Sequence, residues 1–206
     1  MADNIRRRPG GHRALILVDV QNDFCEGGSL AVAGGAKVAR RISVHVLGHG
    51  HEYATIVATA DWHDDPGGHF AEHPDFVDSW PPHCRIGSDG ALFHPAAEPA
   101  FEHVEAIFRK GSHAAAYSGF EGFTTRGEER IGLAQWLRDK AIEQVDIVGI
   151  ATDHCVRATA LDAASKGLET TVLLDLTAGV ARQSTEAALA TMREAEVQLV
   201  GEPLGT

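Results

Sequence analysis

Hydrophobic residues along this chain occur either in short continuous runs or in longer segments with helical spacing. The continuous runs are rich in β-branched residues, which is typical of strands covered on both faces of a sheet. They predict six strands, over residues 14–20, 55–60, 105–109, 145–150, 170–175 and 197–200. The helical spacing predicts helices over residues 36–47, 131–140, 153–166 and 184–195, the last capped by Ser184. This alternation implies an α/β fold, in which a mostly parallel sheet has helices on both faces.

Two long segments break this alternation. Residues 62–103 show no sustained period and are dominated by proline, glycine and histidine, and residues 112–126 are also irregular. Loops of such length in a compact domain are usually functional. In open parallel sheets, ligands bind beyond the carboxyl ends of the strands. The side chains found just at or past four predicted strand ends are Asp19, Asp61, Lys110 and Cys155.

Cys155 follows an apolar strand and precedes a helical pattern, so we expect it at a strand-to-helix turn. Thr152 can cap that helix, which would leave Cys155 in the first turn, where unpaired N–H groups and the helix dipole favour a thiolate. Alternatively, Cys155 is a small buried hydrophobic residue, as most free cysteines are. The turn alone supports the two interpretations equally. The other strand ends favour a nucleophile, because a cysteine nucleophile needs a base and a stabilising charge.

Asp19 and Lys110 would complete an Asp–Lys–Cys set. Desolvation would raise the pKa of Asp19 toward the range of a general base, and the ammonium group of Lys110 would limit that rise. Each residue alone also has a structural explanation. An aspartate at a strand end often caps a turn, and a lysine before a glycine is usually solvated.

A second group of side chains suits a metal ion. Asp61 and His63 are two residues apart at a strand end, so they point the same way, and His69 and His83 follow in the long loop. A carboxylate with three imidazoles is typical of a site for Zn, Fe or Mn. The sequence does not discriminate among these ions.

Three aromatic residues, Phe24, Trp80 and Tyr117, lie in irregular segments that would overhang the strand ends. They could form an apolar slot for a flat ligand, which is the usual character of a small-molecule site. Alternatively, they could anchor their loops to the hydrophobic core. Their positions in the sequence leave both interpretations open.

Length and composition narrow the class of protein. With 206 residues, we expect a flexible N-terminal lead-in over residues 1–13 and a single domain over residues 14–206. The net charge of −11 argues against nucleic-acid binding, and no apolar run is long enough to cross a bilayer. The chain has three cysteines, an odd number, and no CxxC pair. This pattern favours a reducing compartment over a disulfide-bonded protein. We therefore expect a cytoplasmic protein.

Several motifs together give the chain a family likeness. In order they are VDVQNDFCEGGSL (18–30), TADWH (59–63), GGHF (67–70), SWPPHC (79–84), AYSGFEG (116–122) after Lys110, and GIATDHCV (149–156). Over residues 14–200 the chain resembles the nicotinamidases, also called pyrazinamidases, of the isochorismatase-like hydrolase superfamily. The resemblance implies a three-layer α/β/α fold with a six-stranded, mostly parallel sheet. It also implies hydrolysis of nicotinamide to nicotinate and ammonia, a step of NAD salvage, with pyrazinamide accepted as well.

The resemblance also implies a role for each candidate residue. Asp19 would be the base, Lys110 its charged partner, and Cys155 the nucleophile that forms a thioester. One divalent ion (Zn, Fe or Mn) would be bound by Asp61, His63, His69 and His83. The pyridine ring would be bordered by Phe24, Trp80, Tyr117 and Ile150. The oxyanion hole would consist of the backbone N–H groups of Ala151 and Cys155, beside a cis peptide between Ile150 and Ala151.

Two other functions are consistent with these residues. A sister cysteine hydrolase of the same superfamily could act on another small amide, although such an enzyme would not obviously need the four metal ligands. A non-catalytic metal-binding or thiol redox protein would have no use for Lys110. The expected partner is the small-molecule substrate, and the sequence leaves open whether the protein is a monomer or a homo-oligomer.

Overall fold

The structure is a computed structural model, and it describes residues 12–205. The expected lead-in, residues 1–13, lies almost entirely outside the described residues. The strands are β1 (Arg13–Val18), β2 (Thr55–Asp61), β3 (Ala106–Lys110), β4 (Phe123–Arg126), β5 (Glu129–Gly132), β6 (Gln144–Ile150), β7 (Glu169–Ala178) and β8 (Gln198–Val200). The α-helices of this part of the chain are α1 (Gly35–His49), α2 (Glu98–Phe101), α3 (Leu133–Asp139), α4 (Arg157–Ser165) and α5 (Arg182–Glu194).

The strands form one sheet in the order β5-β4-β3-β2-β1-β6-β7-β8. Strands β3, β2, β1, β6, β7 and β8 are parallel and correspond to the predicted strands, so the predicted α/β fold is confirmed. The predicted number of six strands is wrong, because β4 and β5 add an antiparallel hairpin beside β3. Both added strands are short and mostly exposed, so they lack the hydrophobic pattern by which a sequence reveals a strand.

Alternate residues of β1 enter two hydrophobic cores, one on each face of the sheet. Leu15 and Leu17 pack on the face covered by α1, whereas Ile16 and Val18 pack on the face covered by α3, α4 and α5. A strand buried on both faces has a continuous apolar sequence, which is why these strands were predictable. None of the helices formed by residues 12–205 is long and apolar enough to cross a membrane.

The order of the strands reverses between β1 and β6, because the chain runs from β1 toward β3 on one side and from β6 toward β8 on the other. A crevice at the carboxyl ends of two such strands is the usual ligand site of an open α/β sheet. Gly149 in β6 allows these strands to approach. Its φ is +120°, and a Cβ atom there would lie 2.0 Å from the carbonyl oxygen of Val18, so only glycine fits.

Candidate active site

The carboxyl ends of β1, β3 and β6 bring Asp19, Lys110 and Cys155 together below the protein surface. The Lys110 ammonium nitrogen Nζ lies 2.9 Å from Oδ2 of Asp19 and 3.7 Å from Sγ of Cys155. The exposed fractions of these residues are 0% for Asp19, 3% for Lys110 and 6% for Cys155. Three side chains that are distant in the sequence therefore form one nearly dry cluster.

Asp19 is oriented by Thr59 of the neighbouring strand β2. Oγ1 of Thr59 donates a hydrogen bond of 2.6 Å to Oδ1 of Asp19. The other oxygen, Oδ2, is buried and pairs with Lys110, but within residues 12–205 it accepts no well-aligned hydrogen bond. An oxygen of Asp19 and the sulfur of Cys155 lie within 4.8 Å of one another. Asp19 thus has a free lone pair close to the thiol.

Burial and the charge of Lys110 shift the pKa values of Asp19 and Cys155 in opposite directions. Burial raises the pKa of Asp19, and the Lys110 ammonium group reduces that rise. Burial also raises the pKa of the Cys155 thiol well above its usual range, again opposed by Lys110. Burial lowers the pKa of Lys110, but Asp19 and Asp61 outweigh it and hold that pKa well above its usual range. The cluster therefore combines a permanent cation with two groups that can exchange a proton.

Cys155 lies in a π-helical turn, Thr152–Val156, that connects β6 to α4. The carbonyl oxygen of Ala151 accepts hydrogen bonds from the N–H groups of His154 and Val156, both at 3.1 Å. The predicted capping role of Thr152 is wrong. Its hydroxyl is buried against β7 and donates to Oγ1 of Thr177 at 2.9 Å, a partner that only the tertiary structure supplies.

One expected oxyanion donor, Ala151, comes directly before this turn, and the other, Cys155, lies within it. The peptide bond between Ile150 and Ala151 is cis. Apart from bonds within helices and strands, the N–H groups of Ala151 and Cys155 donate to no backbone oxygen of the described residues. The N–H group of Ala151, which lies outside the helical turn, therefore has capacity for a ligand oxygen.

His63, His69 and His83 form a second cluster beside the first. Each offers a ring nitrogen within 4.8 Å of the others. Nε2 of His63 and Nδ1 of His69 are buried without a hydrogen-bond partner among the described residues. Buried polar atoms are rarely left in this state, so an additional ligand is expected between the rings.

Backbone carbonyl groups orient two of these rings. Nδ1 of His63 lies 2.6 Å from the carbonyl oxygen of Gly111, and Nδ1 of His83 lies 2.8 Å from that of Pro81. A carbonyl oxygen only accepts hydrogen bonds, so each Nδ1 is a donor here and each Nε2 is the ring nitrogen directed at the cluster. This is the usual arrangement around histidines that bind a metal. The residues present therefore fit a divalent ion.

Asp61 connects the two clusters. Its Oδ1 atom contacts Nζ of Lys110, and its Oδ2 atom lies 3.6 Å from Nε2 of both His63 and His83. Burial opposes ionisation of Asp61, but Lys110 and the two histidines hold its pKa well below the usual range. Asp61 is thus an ionised carboxylate beside two of the three clustered imidazoles, and together these four side chains are a donor set suited to Zn, Fe or Mn.

An apolar pocket opens above the two clusters. The predicted residues in its wall are Phe24, Asp61, His69, Trp80, His83, Tyr117, Ile150, Ala151 and Cys155. Nε1 of Trp80 donates a hydrogen bond of 3.0 Å to the hydroxyl of Tyr117, so these aromatics both anchor their loops and line the pocket. Asp19, His63 and Lys110 lie behind the wall rather than in it.

Sequence reasoning missed five residues of the pocket wall: Leu30, Val32, Ala116, His154 and Val180. The apolar residues come from loops, where no hydrophobic period marks them. The ring of His154 lies 5.0 Å from that of Trp80 and 6.3 Å from that of Tyr117. Its position next to Cys155 was a usable signal, but it was one histidine among twelve.

A family model described as the isochorismatase domain matches residues 13–203. The chain belongs to the isochorismatase family. The nicotinamidase/pyrazinamidase of Mycobacterium tuberculosis is 56% identical to it over 188 residues, which cover 91% of this chain and 98% of that protein. The family likeness inferred from the motifs is therefore confirmed.

Solved structures of this family share the fold. The pyrazinamidase of Pyrococcus horikoshii in complex with zinc matches with a TM-score of 0.75 and 36% identity, over 92% of this chain and 98% of that chain. PnC1 from L. infantum in complex with nicotinate matches with a TM-score of 0.78 and 32% identity, over 92% of each chain.

Proposed function

We propose that this protein is an amidohydrolase that converts nicotinamide to nicotinate and ammonia. One observation carries the proposal: the sulfur of Cys155 lies 3.7 Å from Nζ of Lys110, at the floor of an apolar pocket that is also lined by His69 and His83. A thiol, a cation and a carboxyl group in contact are the parts of a cysteine nucleophile with its base. The similarity to named nicotinamidases and pyrazinamidases supports this substrate class.

The reaction begins when Asp19 accepts the thiol proton of Cys155. The thiolate attacks the carboxamide carbon, and the N–H groups of Ala151 and Cys155 hold the resulting oxyanion. Asp19 then returns the proton to the amide nitrogen, the carbon–nitrogen bond breaks, and ammonia leaves a thioester. Asp19 next takes a proton from water as the water attacks the thioester carbon. That proton passes to the sulfur when the carbon–sulfur bond breaks, and the released nicotinic acid loses the second water proton to solvent to give nicotinate.

Lys110 acts throughout by charge rather than by proton transfer, because the carboxylates around it keep it protonated. The residues that would hold a divalent ion are Asp61, His63, His69 and His83. When bound, such an ion supplies a Lewis-acidic centre that orients the substrate above the thiol. We propose zinc, iron or manganese, and the zinc complex of the P. horikoshii relative supports the first of these.

The ring of nicotinamide is flat and apolar, and the pocket provides Phe24, Trp80, Tyr117 and Ile150 around it. Pyrazinamide has a ring of the same size and the same carboxamide, so it is a second substrate. We also propose that residues 14–206 form a single domain and that the protein acts in the cytoplasm. The three cysteines support the second point, because all are free and buried.

Ammonia release from nicotinamide tests the proposal. The protein is stripped of metal, reloaded separately with Zn, Fe or Mn, and assayed together with the Cys155→Ala variant. We expect turnover with at least one metal, and none from Cys155→Ala at unchanged metal content. Activity retained by Cys155→Ala would exclude the nucleophile. Turnover of another small amide but not of nicotinamide would favour a sister hydrolase.

A further inference from the structure

Asp153 is a buried carboxylate in the turn that carries Cys155, with an exposed fraction of 1%. Its Oδ1 atom accepts a hydrogen bond of 3.0 Å from the N–H of Val180. Its Oδ2 atom accepts one of 3.4 Å from the N–H of Ala181 and lies 2.5 Å from the hydroxyl of Ser184. These three partners belong to the start of α5, not to the turn itself.

Helix α5 has no cap from its own sequence. Its N-cap residue is Ala181, whose side chain accepts no hydrogen bond, so the predicted cap at Ser184 is wrong. Asp153 lies at this end of the helix, where it bonds to the N–H groups of the two residues that precede α5 and to the hydroxyl of Ser184 in its first turn. A carboxylate at a helix N-terminus is stabilised by unpaired N–H groups and by the helix dipole. Because this carboxylate belongs to the Cys155 turn, the same attraction fixes the turn to α5.

The turn is therefore held at two points. Thr152 is bonded to Thr177 of β7 at 2.9 Å, and Asp153 is bonded to the start of α5. Cys155 follows these anchors directly, and its sulfur faces the cation of Lys110 at 3.7 Å. Val180, which Asp153 also holds, lines the substrate pocket. One side chain thus connects the nucleophile, a helix and the pocket wall.

We propose that Asp153 is a positioning residue for the nucleophile: by fixing the Cys155 turn to the start of α5, it holds the sulfur against Lys110. The expected effect of this positioning on kcat rests on the proposed function. A displacement of the reacting atom by about 1 Å can cost about 10²-fold in rate. Substrate contacts made by the rest of the pocket remain, so the loss falls on kcat rather than on KM.

The kinetic test compares Asp153→Ala and Asp153→Asn with a matched control. The control is Asp146→Asn, another buried carboxylate, located nearer the amino end of β6 and bonded to the hydroxyl of Tyr53 at 2.9 Å. Each variant is assayed at a temperature where circular dichroism shows it folded. We expect kcat to fall about 100-fold in Asp153→Ala and about 10-fold in Asp153→Asn, which keeps one acceptor oxygen, with KM changed less than about threefold. We expect Asp146→Asn to lower Tm while kcat changes less than about twofold.

A second readout does not depend on the substrate. Iodoacetamide alkylation, located by peptide mass mapping, reports the reactivity of Cys155, while Cys25 and Cys84 are fully buried. A sulfur displaced from Lys110 loses stabilisation of its thiolate, so we expect about tenfold slower alkylation in Asp153→Ala than in Asp146→Asn. Slower alkylation in a protein that does not hydrolyse nicotinamide would refute the proposed function but not the positioning role.

Ser184→Ala removes only one partner of Asp153 and keeps the test valid if Asp153→Ala does not fold. We expect its kcat and alkylation rate to fall by severalfold, between those of the wild type and Asp153→Asn. The positioning role is refuted if the Asp153 and Ser184 variants match Asp146→Asn in both readouts. It is also refuted if they raise KM alone.

Discussion

The ammonium nitrogen of Lys110 lies 3.7 Å from the sulfur of Cys155, close enough to stabilise a thiolate as it forms. The same nitrogen pairs with Asp19 and contacts Asp61. One buried cation is therefore shared by Cys155, Asp19 and the Asp61 carboxylate that lies beside the histidines. This arrangement makes Lys110 important for both the stability and the chemistry of the site.

Replacement of Lys110 by methionine should leave two buried carboxyl groups without their counter-charge. Removing one member of a buried ion pair typically costs about 3–5 kcal/mol of unfolding free energy, and we expect a loss of that size in urea titrations at pH 7. Ammonia release should fall by at least about 100-fold. The control is Lys140→Met, which breaks a partly exposed pair with Glu105 at 2.7 Å and should cost less than about 1 kcal/mol. Equal losses in the two variants would contradict the shared role of Lys110.

Replacement of His83 by alanine should reduce bound metal. The Nε2 atom of His83 lies 3.6 Å from Oδ2 of Asp61, and loss of one of the four proposed ligands would weaken a divalent site strongly. Metal content measured by mass spectrometry after dialysis should fall from about one equivalent to well below half. His49→Ala is the matched control, because His49 is exposed on α1 and pairs with Glu52. Full metal content in His83→Ala would remove this residue from the ligand set.

Gly149→Ala should destabilise the protein and disturb the site together. A Cβ atom at Gly149 would lie 2.0 Å from the carbonyl oxygen of Val18, and φ is +120°. Strands β1 and β6 would have to separate, so we expect a loss of about 3 kcal/mol or more and a large fall in activity. Gly48→Ala in α1 meets no atom within 4 Å and should instead stabilise by about 0.5–1 kcal/mol. A Tm for Gly149→Ala equal to that of the wild type would disprove the steric argument.

Glu26 should make stability dependent on pH. Its carboxylate accepts hydrogen bonds of 2.8 Å from the N–H groups of Ala36 and Gly34 at the start of α1, and these bonds lower its pKa. A carboxyl group with a lowered pKa stabilises the folded state above its unfolded pKa of about 4.3, and the effect is lost as pH falls through the folded value. Glu26→Gln should therefore cost about 0.5–1 kcal/mol at pH 7 and progressively less below about pH 4.3.

Urea titrations from pH 7 to pH 3 measure this difference. Glu128→Gln, at an exposed position in the turn between β4 and β5, is the control and should show no such trend. A penalty for Glu26→Gln that stays constant down to pH 3 would show that charge is not the cause.

Strands β1, β2 and β6 could be predicted because they are buried on both faces and therefore have continuous apolar sequences. The hairpin of β4 and β5 could not, because only Ile131 is buried in it and most of its other residues face solvent. Helix ends were also mispredicted for a physical reason. Thr152 and Ser184 are residue types that cap helices, but both hydroxyls bond to partners distant in the chain.

The sequence by itself determined the fold class, the family and the side chains that reach the strand ends, because hydrophobic period and motif order are local properties of the chain. Only the tertiary structure decided which of these side chains meet. It joined Lys110 to Asp19, Asp61 and Cys155, and it placed Asp153 at the start of α5. Strand order brings residues that are distant in the sequence into contact. The exclusion of water then strengthens the electrostatic interactions between their buried charges.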